Sequence, residues 1–370
     1  MSIAFGSPSR YIQGPGELSR LAEHAGKYGN RIVAVIDSFF YEDMSECLKA
    51  RCEEAGQQFL SLPFSGEITR EKILKMRDRS AKWGAEVIVG IGGGKTLDTA
   101  KAAADLLSCP LILGPTSAST DAPTSAMSVI YNHKHEHDDV YYYKKNPDLV
   151  LVDSQIIADA PVRFLVAGMG DALATVYEAR ASIRTQSPNY IDQETGPYLA
   201  SRTAIAIAEL CGQVVLEYGA EAKKANENHV VNQALEAVIE ANTLMSGLGF
   251  ENVGCAASHV ICNGITACPG GDESLHGEKV AYGILCQLTA EKAPQEELDE
   301  IRDFYEAIGL PLQLQDLGIA PTEDNLRIIS RDTRQTEWTR EPFDVSDEDV
   351  RQIIETVEKQ GGQFRKQHAK

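Results

Sequence analysis

The run AEVIVGIGGGKTLDTAK, from Ala85 to Lys101, restricts the fold more than any other part of the chain. Its first half is apolar and β-branched, the pattern of a strand buried on both faces. Three glycines follow, and then a segment with helical spacing. A strand that passes through glycine directly into a helix is one unit of a parallel α/β sheet. Neighbouring stretches read the same way. RIVAVID (Arg31 to Asp37) is a continuous strand, TLDTAKAAADLLS a helix, and LILGPTSAST (Leu111 to Thr120) a strand with its loop. SVIYNHKHEHDDVYYYKKNPDLVLVDS reads as a hairpin around a polar turn, followed by a last strand at Leu149 to Val152.

Beyond Asp159 the character changes. Long amphipathic patterns replace β-branched runs, and Asp159-Ala160-Pro161 reads as a helix cap with proline in the first turn. Ser346-Asp347-Glu348-Asp349 before VRQIIETVEK is a capping motif for a final helix. The expected organisation is an α/β parallel-sheet domain over residues 1–160 and an all-α domain over residues 161–370.

A chain of 370 residues accommodates two such domains. Its formal charge of −19 argues against nucleic acid or an anionic membrane as partner. No apolar run approaches the roughly 18 residues of a membrane span, and the opening MSIAFGSPSRYIQGPGEL lacks the apolar core of an export signal. Eight cysteines without a C-x-x-C pair point to reduced thiols in a cytoplasm.

The glycine loop fits neither common phosphate template. A Walker loop would need glycine where Val89 stands, and the G-x-G-x-x-G fingerprint needs glycine where Lys95 stands. The physical elements of an anion site are nevertheless present. Gly92-Gly93-Gly94 allows close backbone approach at a helix N-terminus, and Lys95 adds a positive charge. Asp37, at the carboxyl end of an earlier strand, has the position of a carboxylate that accepts ribose hydroxyls, which would favour NAD over NADP. Triple glycine also suits a simple tight turn, and an aspartate ending a strand also caps helices. The residues alone leave both readings standing.

A second constellation lies in the helical half: Asp171 in GMGDALATVYEA, and His259 and His276 in SHVICNGITACPGGDESLHGEK. Three N/O ligands on separate segments can hold Zn²⁺ or Fe²⁺ and leave a coordination position for substrate. Their separation in sequence makes spacing weak evidence. His133, His135 and His137 form a denser cluster, but in a turn rich in Lys and Asp that reads as solvated.

GGGKTLDTAK, PTSASTDAPTSAMSVIY, AGMGDALAT, and the S-H and L-H-G-E-K motifs together resemble the iron-containing (group III) alcohol dehydrogenase superfamily, in particular its glycerol dehydrogenase branch. The resemblance runs from YIQGPGEL to the last helix. It implies a Rossmann-like N-terminal domain, a helical C-terminal domain (the dehydroquinate synthase-like fold), and a site in the cleft between them. It also implies Asp37 at the adenosine ribose, and Gly93, Gly94 and Lys95 at the phosphates of NAD. Thr116, Ser119, Ser125, Met127 and Tyr131 would line the cofactor further along, Met127 standing where leucine is usual. Asp121 would contact a substrate hydroxyl, and Asp171, His259 and His276 would ligate zinc, with iron as the alternative. The sequence departs from the family at Cys262, where a histidine is common three residues after the first ligand histidine.

The implied reaction is NAD-dependent oxidation of glycerol to dihydroxyacetone by a cytoplasmic homo-oligomer, a ring of eight being the family expectation. The alternatives are another vicinal diol, such as 1,2-propanediol, or a 2-oxo acid. An acid substrate needs a cation, and no arginine stands near Asp121 in the sequence. A lyase related to dehydroquinate synthase would need several basic residues around these motifs for a phosphorylated substrate, and such a set is not found there. A non-catalytic NAD sensor is the third rival, and the intact Asp/His/His set argues against it.

Overall fold

A computed structural model describes residues 1–132, 137–332 and 337–368. Its strands are β1 (Tyr11–Gly14), β2 (Arg31–Asp37), β3 (Gln58–Phe64), β4 (Val87–Gly92), β5 (Leu111–Pro115), β6 (Met127–Tyr131), β7 (His137–Tyr142) and β8 (Leu149–Asp153). Six form one parallel sheet in the order β1-β8-β5-β4-β2-β3, while β6 and β7 pair as an antiparallel hairpin. Helices α1 (Leu21–Ala25), α2 (Tyr41–Glu54), α3 (Arg70–Trp83) and α4 (Gly94–Leu107) lie between these strands in the chain.

The central strands are apolar throughout because both faces are covered. Ile32, Ala34, Ile36, Val87, Val89 and Ile91 pack on one side, and Val33, Val35, Ile88 and Leu113 on the other. Two strands escaped the sequence reading, and each has a physical reason. β1 is only YIQG, half-buried, with no apolar run to announce it. β3 carries Pro63, which a strand tolerates at a sheet edge, and β3 is the edge next to β2.

From Ser154 onward the described chain is helical: α5 (Ser154–Asp159), α6 (Val162–Thr185), α7 (Arg202–Glu227), α8 (Gln233–Glu240), α9 (Ser246–Val253), α10 (Ala257–Thr266), α11 (His276–Ala290), α12 (Gln295–Ile308), α13 (Glu323–Asp332) and α14 (Asp347–His368). A π-helical turn, Ala241–Met245, joins α8 to α9. One expected cap is corrected. Asp159 ends α5, and Pro161 occupies the N-cap of α6 with no side-chain cap, so proline sits one place before the first turn. The other expected cap is present: Ser346 Oγ accepts the Asp349 N–H at 3.2 Å, and Asp349 Oδ2 accepts the Ser346 N–H at 2.9 Å.

The core of the helical half is continuous with the sheet, since Val150 and Val152 of β8 pack with Leu165, Met169 and Ala172 of α6.

Candidate functional site

Reading the sheet outward from β2, β3 lies on one side and β4 on the other, so the chain reverses direction across the sheet between β2 and β4. In open α/β sheets a ligand crevice opens at such a reversal, outside the carboxyl ends of the strands. Asp37 ends β2 and Gly92 ends β4, and the two meet there. Gly92 has φ 154°, and a Cβ on it would lie 2.9 Å from Asp37 Cβ and 2.8 Å from Thr96 Cβ. Only glycine allows this turn and this approach.

Asp37 is fixed from both sides: Oδ2 accepts Thr96 Oγ1–H at 3.1 Å, and Oδ1 accepts the Phe39 N–H at 3.0 Å. Gly93 caps α4 without a side-chain hydrogen bond, and the space a Cβ would occupy on it is open. An open helix N-terminus of this kind can accept an anion. Lys95 is exposed beside it and paired with Glu67.

The other expected cofactor residues follow along the loop after β5 and into β6. The Thr116 N–H donates to Gly92 O at 3.1 Å, tying β5 to the glycine turn. The Ser119 and Ser117 hydroxyls are 3.1 Å apart. Ser125 Oγ and Met127 O both accept from Lys101 Nζ, at 3.1 and 2.9 Å. Lys101 is buried on α4 and also pairs with Asp98 at 3.0 Å, so the helix that starts at the glycine turn also clamps the 122–127 loop. Tyr131 ends β6, and burial pushes its phenol up to about 12. The histidine-rich turn 133–136 and the His137 side chain lie outside the described residues.

Asp171, His259 and His276 come from α6, α10 and the first residue of α11. Close helix contact brings them together. A Cβ on Gly277 would lie 1.8 Å from Ala167 O, and one on Gly170 2.5 Å from Gly277 O, so α11 touches α6 through backbone. His259 Nε2 and His276 Nε2 both stand 3.4 Å from Asp171 Oδ1. Two donors about 2.0–2.1 Å from one tetrahedral ion are separated by about 3.3–3.4 Å. The spacing is therefore long for a hydrogen bond and right for the edge of a coordination shell.

Both Asp171 oxygens are buried, and neither receives a well-formed hydrogen bond from the described residues. A buried carboxylate left this way needs a cation. Burial alone would raise Asp171, but the His276 and His259 rings outweigh it and hold the carboxyl well below the usual range. Burial also disfavours charge on His276, yet Cys262 and Asp171 push the ring up to about 10. The pocket thus calls for positive charge on both rings, and a divalent cation that displaces those protons supplies the same charge. The donor set and its electrostatics fit a metal ion. His276 is 44% exposed where Asp171 is 1% exposed, so the site opens on the His276 side.

Asp121 faces this group from the loop between β5 and β6. Burial, then the Asp171 carboxylate, push it up to about 7, against the pull of the two imidazoles and Ser246. Asp121 Oδ2 accepts Ser246 Oγ–H at 3.0 Å, and Ser246 directly follows the π-helical turn. Such turns recur at functional sites because they re-aim the residues around them. Asn242, in the same turn, donates to Ala118 O at 2.9 Å and Leu165 O at 3.1 Å, stitching the loop to α6.

Cys262, one turn along α10 from His259, sets its Sγ 3.5 Å from His276 Nδ1. Glu178 was missed altogether. It is 1% exposed, and its carboxylate lies 2.8 Å from His259 Nδ1. The signal was available, since Glu178 follows Asp171 by seven residues, two helical turns, on the same face of α6.

Residues 8–154 match the model of the iron-containing alcohol dehydrogenases. The chain is 41% identical to the glycerol dehydrogenase of Thermotoga maritima, covering 96% of each. It is also 37% identical to the glycolaldehyde reductase of Halobacterium salinarum, over 99% of this chain and 100% of that one. The crystal structure of glycerol dehydrogenase from Schizosaccharomyces pombe superimposes with a TM-score of 0.93 at 34% identity, over 100% of this chain and 93% of that chain.

Proposed function

Because the chain belongs to the iron-containing alcohol dehydrogenase family and is an oxidoreductase, we propose that it oxidises glycerol to dihydroxyacetone with NAD⁺ as hydride acceptor. The observation that carries this reading is the buried Asp171 carboxylate, which takes no well-formed hydrogen bond from the described residues and has two imidazole nitrogens 3.4 Å from it, facing the loop of the proposed nucleotide crevice. Asp171, His259 and His276 would hold the metal, with zinc the first choice for this N/O set and iron(II) the alternative. When bound, the ion supplies Lewis acidity that makes a substrate hydroxyl easier to deprotonate.

The protein's own contribution is placement. The cradle at Gly93, Gly94 and Lys95 would seat the pyrophosphate of NAD, and Asp37 the adenosine ribose, where its charge would repel a 2′-phosphate. Thr116, Ser119, Ser125, Met127 and Tyr131 would line the path from that cradle toward the metal ligands. Asp121, held by Ser246, would orient a neutral polyol by accepting a hydroxyl hydrogen bond. The division into an NAD-binding domain over 1–160 and a metal- and substrate-binding domain over 161–370 follows from this placement.

The eight cysteines are all thiols, which supports the cytoplasm as the compartment. Among the described residues no helix is long and apolar enough to cross a membrane. A homo-oligomer, with a ring of eight as the family expectation, is the proposed assembly.

The similarity to a glycolaldehyde reductase over the whole chain favours one second reading, reduction of a small hydroxy-aldehyde by the same site. The test is NAD⁺ reduction by the zinc-loaded protein with glycerol, 1,2-propanediol and 2,3-butanediol side by side, and NADH oxidation with glycolaldehyde. A kcat/KM highest for glycerol supports the proposal. Turnover confined to glycolaldehyde would move the substrate, and no turnover with any of them would sink the function.

A further inference from the structure

Three N–H donors converge on the buried carboxylate of Glu178. Oε1 accepts the Ala256 N–H at 2.8 Å and the His259 N–H at 3.0 Å, and Oε2 lies 2.8 Å from His259 Nδ1. The two backbone donors belong to the start of α10 and cannot turn away without unwinding it. An ionised carboxylate offers only acceptors, so the short contact to the ring has Nδ1–H as its donor. In a neutral imidazole the other nitrogen, Nε2, then carries the lone pair. Nε2 is the atom 3.4 Å from Asp171 Oδ1.

We propose that Glu178 is a positioning residue that fixes the tautomer and orientation of His259, so that Nε2 presents its lone pair beside Asp171. The proposal rests on the metal-site reading above and adds to it the group that makes one ligand competent. Glu178 holds both the ring and the backbone that carries it, which ties the first turn of α10 to the face of α6 bearing Asp171. Cys255, 8% exposed, stands in the same corner and is the rival orienter of the ring.

Glu178→Gln separates these roles because the amide has one acceptor where the carboxylate has two. With its carbonyl oxygen toward the Ala256 and His259 N–H groups, its NH₂ faces Nδ1. The ring proton must then move to Nε2, which can no longer ligate. Glu178→Asp keeps two acceptors on a shorter stem and Cys255→Ala tests the rival. Zinc dissociation constants by chelator competition, nitrogen-15 shifts of labelled histidine, and NADH binding by fluorescence are the readouts.

The expected result is zinc binding about 10- to 100-fold weaker in the Gln variant. Its His259 proton should appear on Nε2, with NADH affinity within about twofold of wild type. The Asp variant should recover most of the loss. Equal zinc affinity in wild type and the Gln variant would overturn the proposal, as would an Asp variant as weak as the Gln variant, or a loss seen with Cys255→Ala instead. Wild-type protein that binds no zinc would overturn the underlying metal reading, a distinct outcome.

Discussion

Asp171 is a buried anion whose two oxygens find no well-formed hydrogen bond among the described residues, and that isolation predicts what its removal does. Asp171→Asn keeps the shape and takes away the charge. Losing a metal's Lewis acidity costs several kcal/mol of barrier, on the order of 10³-fold in turnover. NADH affinity, measured by fluorescence, should stay within about twofold, because the proposed nucleotide cradle is built from α4 and the ends of β2 and β4. Glu251 gives a second prediction at this scale. Its carboxylate accepts the Ala126 N–H at 2.8 Å and Asn146 Nδ2–H at 2.6 Å, and burial pushes it from 4.5 up to about 7. Between those two values the folded protein keeps a proton that the unfolded chain has released, so stability falls as pH rises through that window. The burden is absent below about pH 4.5 and complete above about pH 7, on the order of 3 kcal/mol. Glu251→Gln should shrink the difference between urea unfolding at pH 5 and at pH 8 by about that amount; an unchanged difference would contradict the assignment. His259, His276 and Asp171, the proposed metal ligands, were legible as residues through their motifs. Glu251 and Glu178 were not, because a buried acid reads like a surface acid until its partners from other elements are known.

Among the elements, α6 and α11 matter most, since their backbone contact decides where His276 stands. A methyl group on Gly277 would lie 1.8 Å from Ala167 O, so Gly277→Ala must push the helices apart by about 1 Å or more. Overpacking of this kind costs about 1–3 kcal/mol. Displacement of a ligand by that distance should cost more in activity, about 10²-fold, than the stability loss alone explains. Thermal unfolding and kcat measured on the same preparation check this, and activity that merely tracks the folded fraction would count against it. The elements that could be read from sequence were those with strong local signatures: continuous β-branched runs for β2 and β4, glycine before α4, and the Ser346 cap before α14. β1 and β3 were missed because pairing, and not composition, makes them strands. The π-helical turn at 241–245 has no local signature at all. It is set by packing between α6, α7 and the 118–124 loop, and it positions Ser246 against Asp121.

For the whole molecule, the resemblance of motifs carried the general plan, a parallel sheet followed by helices, and the fold bears that plan out. What no motif conveyed was the electrostatic demand of the site, because it arises only when three helices bring one carboxylate and two imidazoles into a buried corner of a chain with formal charge −19. Glycerol oxidation would depend on the metal ion proposed for this corner. The most direct test is a zinc titration of chelator-stripped protein with NAD⁺ and glycerol present, following NADH by absorbance and metal content by elemental analysis. Without metal there should be no glycerol-dependent NADH, and activity should rise to a plateau at one zinc per chain. Full activity in metal-free protein, or a plateau unchanged by Asp171→Asn, would contradict it.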